Sequence, residues 1–314
     1  MNLSNENINT FLDKYINIIN EFCNRKNYPD NIRHVFYLVV PAFVIKYGLR
    51  EETNILSCFE NIPIYIGNSK GNGEVAFFNR GLYSATENGE LKYLVSKEIV
   101  INDYHNVSLV DLMDSVIHEF NHAVNSVKNE IKIGNDEISL RTGLSYINFY
   151  KYDMQKVKSR SKDIALEEVI NTTQTEAIIN IINSFNNYNI NNEEIKNALY
   201  TIKQEVSVEG YKSKAYFFQA YICKELLNNR TFMPTIEYLR YNGNVEGIEE
   251  WFDNIVNVPK SYQKLINLLD EILKDEASLN KNPIFPKYIM NNIIAKSKSV
   301  LEIIQTFDKN CIYK

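Results

Sequence analysis

Residues 115–126 read Ser-Val-Ile-His-Glu-Phe-Asn-His-Ala-Val-Asn-Ser, "SVIHEFNHAVNS", and place two of the chain's four histidines four residues apart with a glutamate after the first. Ser108 followed by Asp111 is a capping-box arrangement that starts a helix there. Leu109, Leu112, Val116, Phe120, Ala123 and Val127 recur at helical spacing as its core stripe. Asp114, His118, His122 and Asn125 form a polar line that must face a cleft, a partner or solvent. On such a helix both imidazoles project to one side, close enough to share a metal. Glu119 is turned from them by about 100°. Two neutral nitrogen ligands, and a carboxylate able to reach a water without occupying its place, are what zinc hydrolysis requires. The alternative is an ordinary polar helix face satisfied by local hydrogen bonds.

A catalytic zinc usually has three protein ligands. No histidine follows His122, and Lys128 stands where a short "HExxHxxGxxH" arrangement needs its third histidine. His34 and His105 lie upstream, and His105 in "NDYHNVS" fits a turn. The third ligand is therefore sought among carboxylates. In "DIALEEVINTTQTEAII", residues 163–179, Leu166, Val169, Ile170, Thr173 and Ala177 form an inward helix face. Glu167 and Glu168 flank that face, and Glu176 follows two turns beyond Glu168. A carboxylate at the edge of an apolar face needs a charge partner, which zinc supplies. Glu168 is the expected ligand, with Glu167 and Glu176 as alternatives. An exposed acidic pair favouring the helix N-terminus is the competing reading.

Around this centre the sequence predicts an α+β fold. Helical spacing over residues 8–26 is followed by a second helical segment to Tyr47. Short β-branched or aromatic runs, Ile62 to Ile66, Val75 to Phe78 and Leu94 to Ile101, are separated by "GNSKGNG" and "ATENGE", which predicts a small, partly antiparallel sheet. Beyond a polar bend at Gly134 to Gly143 nearly everything is expected to be helical, including 163–184 and 211–227. The chain divides into two expected regions: 1–140, a helix and sheet lobe carrying the histidine helix, and 141–314, a helical lobe carrying the third ligand and closing the cleft.

The 314 residues can bury a large core. A formal charge of −5, from 34 basic and 39 acidic residues, offers no broad basic surface for nucleic acid. Cys23, Cys58, Cys223 and Cys311 form no CxxC pair, which argues against both a disulfide scaffold and a cysteine-ligated zinc. The N-terminal "MNLSNENINTFLDKY" has no basic or apolar signal region, and "VFYLVVPAFVI" is about half the length needed to cross a bilayer. A cytoplasmic protein without membrane contact is expected. Oligomeric state is not readable.

With "HEFNH" and the downstream glutamates in hand, the chain resembles the zincin metallopeptidases, in the gluzincin-like branch whose third ligand is a glutamate on a second helix. The separation from His122 to Glu167 or Glu168 is similar to that in the catalytic domain of anthrax lethal factor and related bacterial zincins. The piece "LEEVINT" resembles a Leu-Asn-Glu-Gly-hydrophobic-Thr-Glu segment found in this class, departing from it at Glu167, Val169 and Thr172. The resemblance covers about residues 94–180. It implies a zincin-like fold, Zn2+ as cofactor, a peptide or protein as substrate, His118, His122 and Glu168 as ligands, and Glu119 as base and proton shuttle. It also implies an edge strand along the cleft, for which Leu94 to Ile101 is the candidate, and a further oxyanion donor. Tyr211 and Tyr216, at the start of a downstream helix, are the candidates for that role, ahead of Tyr146, Tyr150 and Tyr152. Asp114 could orient an imidazole, Asn171 and Thr172 could join the same network, and Arg141 could contact a carboxylate beside a bend at Gly143. The second function class is a non-catalytic, zinc-containing scaffold that binds peptide or protein.

Overall fold

The computed structural model describes residues 5–66, 76–102, 107–150, 164–206, 210–213, 215–281 and 284–311. The architecture is α+β, with two small sheets followed by a long run of C-terminal helices. Two compact units are present, Met1–Val124 with Gln174–Ser213, and Asn125–Thr173 with Lys214–Lys314.

The first unit is built around α2 (Asp30–Tyr47), which is apolar nearly all round and buried from Val35 to Val44 despite Pro41. A helix with no polar face must be covered on every side. The surrounding elements include α1 (Asn5–Lys26), α3 (Glu52–Asn61) and α4 (Leu109–Val124). Aromatic packing fixes α4 here. Phe120 stacks on Phe59 with centroids 3.9 Å apart and meets Phe36 edge-on at 5.8 Å. Among the described residues no single helix is long and apolar enough to cross a membrane.

The first sheet has strand order β1-β3-β2, with β1 (Ile64–Ile66) parallel and β2 (Ala76–Glu87) antiparallel to β3 (Glu90–Ile101). The hairpin is longer than the hydrophobic runs predict, because its outer half is polar and exposed. Asn88 and Gly89 both adopt positive φ, 53° and 83°, as a two-residue hairpin turn with the right twist demands. Residues Leu94 to Ile101 are only in part the expected edge: β3 is paired on both sides at Ile99–Ile101, whereas among the described residues Leu94 to Glu98 pair with β2 alone.

The second unit corrects the expected polar bend at Gly134 to Gly143 and the expectation that nearly everything after it is helical. A three-stranded antiparallel sheet, order β4-β5-β6, comprises β4 (Ile131–Ile133), β5 (Glu137–Thr142) and β6 (Ser145–Tyr150). The strands are only three to six residues long, so each carries too few alternations to stand out in sequence. Helix α5 (Ile164–Ser184) then supplies residues to both units. The rest of the first unit includes α6 (Glu193–Glu205). The second unit continues with α7 (Phe217–Ile222), α8 (Lys224–Asn228), α9 (Phe232–Asn242), α10 (Val245–Val256), α11 (Ser261–Leu279) and α12 (Pro286–Cys311). Their core joins Leu166, Val169 and Ile170 of α5 to Phe232, Phe252 and Phe307, the last two stacked at 4.7 Å.

The helix predicted over 211–227 starts only at Phe217. Residues 211–213 are irregular, and Tyr216 just before α7 has φ 50°, a left-handed conformation that ends continuous helix.

A candidate metal centre on two helices

The Ser108 hydroxyl accepts from the Asp111 amide at 3.1 Å, confirming the predicted start of α4. The core stripe holds from Leu112 to Ala123, but the helix ends at Val124, and Val127 is exposed rather than part of it. Asn125 is buried just beyond the helix end. With Phe120, Val116 and Met113 facing the core, the histidines occupy the remaining side. His122 is buried and His118 half-buried. Their rings stand 5.0 Å apart at 78°.

Glu168 lies on α5. One ligand atom from each of His118, His122 and Glu168 can be chosen so that all lie within 4.8 Å of one another. Donors about 2.0–2.2 Å from zinc sit roughly 3.4 Å apart in a tetrahedral set, so small side-chain shifts bring these three into range. Two imidazoles and one carboxylate are a donor set suited to zinc, and three leave a fourth position open. The residues present fit the ion.

The two alternatives to Glu168 are committed elsewhere. Glu167 is fully buried against Arg240, whose Nε donates to Oε2 at 2.8 Å and whose Nη2 donates to Oε1. The Leu144 amide donates to the same Oε2 at 2.7 Å, and Arg240 Nη2 also reaches Asn171 Oδ1 at 3.0 Å. Glu176 Oε1 accepts from the Ser213 amide at 3.0 Å, and Oε2 from Lys212 Nζ at 2.8 Å. Neighbouring glutamates on one helix therefore point to different duties, because positions about 100° apart face different surroundings.

No family model, curated protein or solved structure matches this chain. Its functional reading therefore rests on the chemistry of the site alone.

Glu119 lies half-buried between the two histidines in sequence. Tyr211 lies near Asp114, one turn before His118, and its amide donates to Asn180 Oδ1 at 2.9 Å. Burial and the nearby acids push the Tyr211 hydroxyl well above the usual phenol range. Ser213 Oγ donates to Asp114 Oδ2 at 3.2 Å, while Asp114 Oδ1 is buried with no hydrogen-bond partner among the described residues. Burial raises the Asp114 carboxyl above its ordinary range, against the opposing pull of His118 and the Ser213 hydroxyl. Segment 211–213 is thus strapped to α4 and α5 by side chains that no local pattern announced.

Tyr216 packs against the hydrophobic core of the second unit, as does Tyr146. Of Tyr150 the structure describes only the backbone, and Tyr152 and His105 lie outside the described residues. His34 is a surface residue facing Glu194 at 3.6 Å. Thr172 is buried. Arg141 is ringed by backbone carbonyls, with Nη1 donating to Asn125, Gly143 and Arg240 at 2.8, 2.6 and 3.1 Å. The Glu167 carboxylate is held by Arg240. That arginine was missed by sequence reasoning, since nothing in "YLRYNG" separates a buried arginine from an exposed one.

Proposed function

We propose that this protein is a zinc-dependent peptide-bond hydrolase of the zincin kind, with His118, His122 and Glu168 as the metal ligands. The observation that carries this reading is the convergence of the "HEFNH" histidines on a glutamate 46 residues beyond His122. When bound, zinc supplies Lewis acidity that acidifies a water and polarises a carbonyl.

The chain's own residues do the rest in this proposal. Glu119, one position after the first ligand, takes a proton from the attacking water and hands it to the departing amine, so that a C–O bond forms as the C–N bond breaks. Its role requires ionisation at the start of the cycle and protonation midway. Tyr211 supports the developing oxyanion in preference to Tyr216, because it lies near Asp114 of the histidine helix whereas Tyr216 packs against the core of the second unit. The Asp114 carboxylate in turn steadies that end of α4 through Ser213. The substrate is a peptide or protein, and neither nucleic acid nor membrane enters the reaction.

The deciding experiment measures zinc content and cleavage of a mixed peptide library in parallel for wild type and Glu119→Gln. Zinc retained near one equivalent by both, with cleavage lost roughly 10²–10⁴-fold in the variant, is the expected result. Zinc bound without cleavage by wild type would instead make the protein a non-catalytic zinc scaffold. No zinc in either would end the reading altogether.

A further inference from the structure

One groove in the second unit plays no part in the zinc chemistry. It is lined on one side by α7 and α8 and on the other by α12, with a volume of about 490 Å3. Met290, Ile293, Ile294, Ser297 and Leu301 form its α12 wall at three- and four-residue spacing, opposite Phe218, Tyr221 and Ile222. Tyr221, Met290 and Ile294 are 67, 47 and 48% exposed. Phe217 beside that wall, and Ile284, Phe285 and Tyr288 leading into α12, are 67–86% exposed as well. Single exposed apolar residues need no explanation, but a concentration of this kind marks a surface that is covered by something.

The charges indicate what. Lys298 lies in the groove, and Lys287 stands on the same α12 stripe eleven residues earlier, about 16 Å away along the axis. Lys224 sits on the opposite wall beside Glu225. All three lysines are exposed, and among the described residues none is engaged in an ion pair. Lys224 and Lys298 against Glu225 line an apolar trough about three helical turns long, and Lys287 adds a further cation on the α12 stripe beyond Met290. A second copy of this chain would set lysines against lysines, since a two-fold contact opposes like patches. A flat bilayer cannot fill a concave trough.

We propose that this groove docks an amphipathic helix of a partner protein, with apolar side chains at i, i+3 or i+4, and i+7 entering the trough and acidic residues at both ends meeting the lysines. The site is independent of the zinc reading, and its test needs no metal.

A displayed library of helix-forming peptides is selected on the intact, zinc-free protein, and the enriched peptides are measured by fluorescence anisotropy. Expected are peptides with that apolar spacing and acidic ends. Their binding should weaken at least about tenfold in Ile294→Glu, an exposed position whose change leaves the circular dichroism intact. The double variant Lys287→Glu with Lys298→Glu should lose the acidic peptides and gain lysine-flanked ones. The proposal fails if nothing is enriched, if enriched peptides lack acidic ends, or if Ile294→Glu binds them unchanged. It fails equally if Ile294→Glu abolishes self-association in sedimentation, which makes the occupant a second copy, or pelleting with phosphatidylserine vesicles, which makes it a membrane.

Discussion

Glu167 and Glu168 are adjacent, identical in type and opposite in consequence. Glu167 accepts a bidentate arginine and a backbone amide in a fully buried setting, so removing its carboxylate strands Arg240 as an unpaired buried charge. Glu167→Ala is expected to cost about 3–5 kcal/mol of stability, read in urea denaturation of the zinc-free protein. Glu168→Ala removes the carboxylate of the His118, His122 and Glu168 group. Its zinc affinity, measured by competition with a chelator, should fall by more than the roughly 10–100-fold that loss of an outer partner costs. If the two variants exchange these phenotypes, the ligand assignment is wrong. The sequence shows both glutamates on one helix but cannot choose between them. The choice depends on Arg240 and Leu144, which approach from 73 and 23 positions away.

At the scale of elements, the turn joining β5 to β6 is built around the same carboxylate. Gly143 has φ 58°, and a Cβ placed on it would overlap the Glu167 carboxyl group. Gly143→Ala therefore combines a left-handed backbone penalty with overpacking, about 2–4 kcal/mol in all, measurable as a shift of the denaturation midpoint with unchanged slope. A glycine merely punctuating a loop would tolerate the change. The helix carrying "HEFNH" was legible because its cap, its apolar stripe and its polar line are all local patterns, and Ser108, Phe120 and His118 sit as those patterns require. The second sheet was not. Its strands gain definition from pairing with one another, as when Leu140 meets Ile147, and such pairing leaves little trace in six residues. The strap at 211–213 has the side-chain spacing of a helix, while its partners Asp114, Glu176 and Asn180 lie 31 to 99 residues away.

The whole molecule offers two further readouts. Burial pushes the Cys23 thiol up to about 11 and the Cys223 thiol up to about 12. At pH 8 both are overwhelmingly protonated and enclosed, so a thiol reagent should label half-exposed Cys311 in the native protein and reach Cys23 and Cys223 only in denaturant. Fast native labelling of Cys223 would show that the core around Phe232 and Ile222 opens readily. If zinc is held as proposed, it selects the folded arrangement of His118, His122 and Glu168, which the unfolded chain does not preserve. Free zinc at 100 times its dissociation constant should therefore stabilise the protein by about 2.7 kcal/mol. For a protein of this size that is a rise of roughly 5 °C in melting temperature, reversed by a chelator. Replacing His118 by Ala should abolish the zinc-dependent rise. A rise that persists in that variant would mean that zinc stabilises the protein through some other group, and the three-residue centre would have to be abandoned.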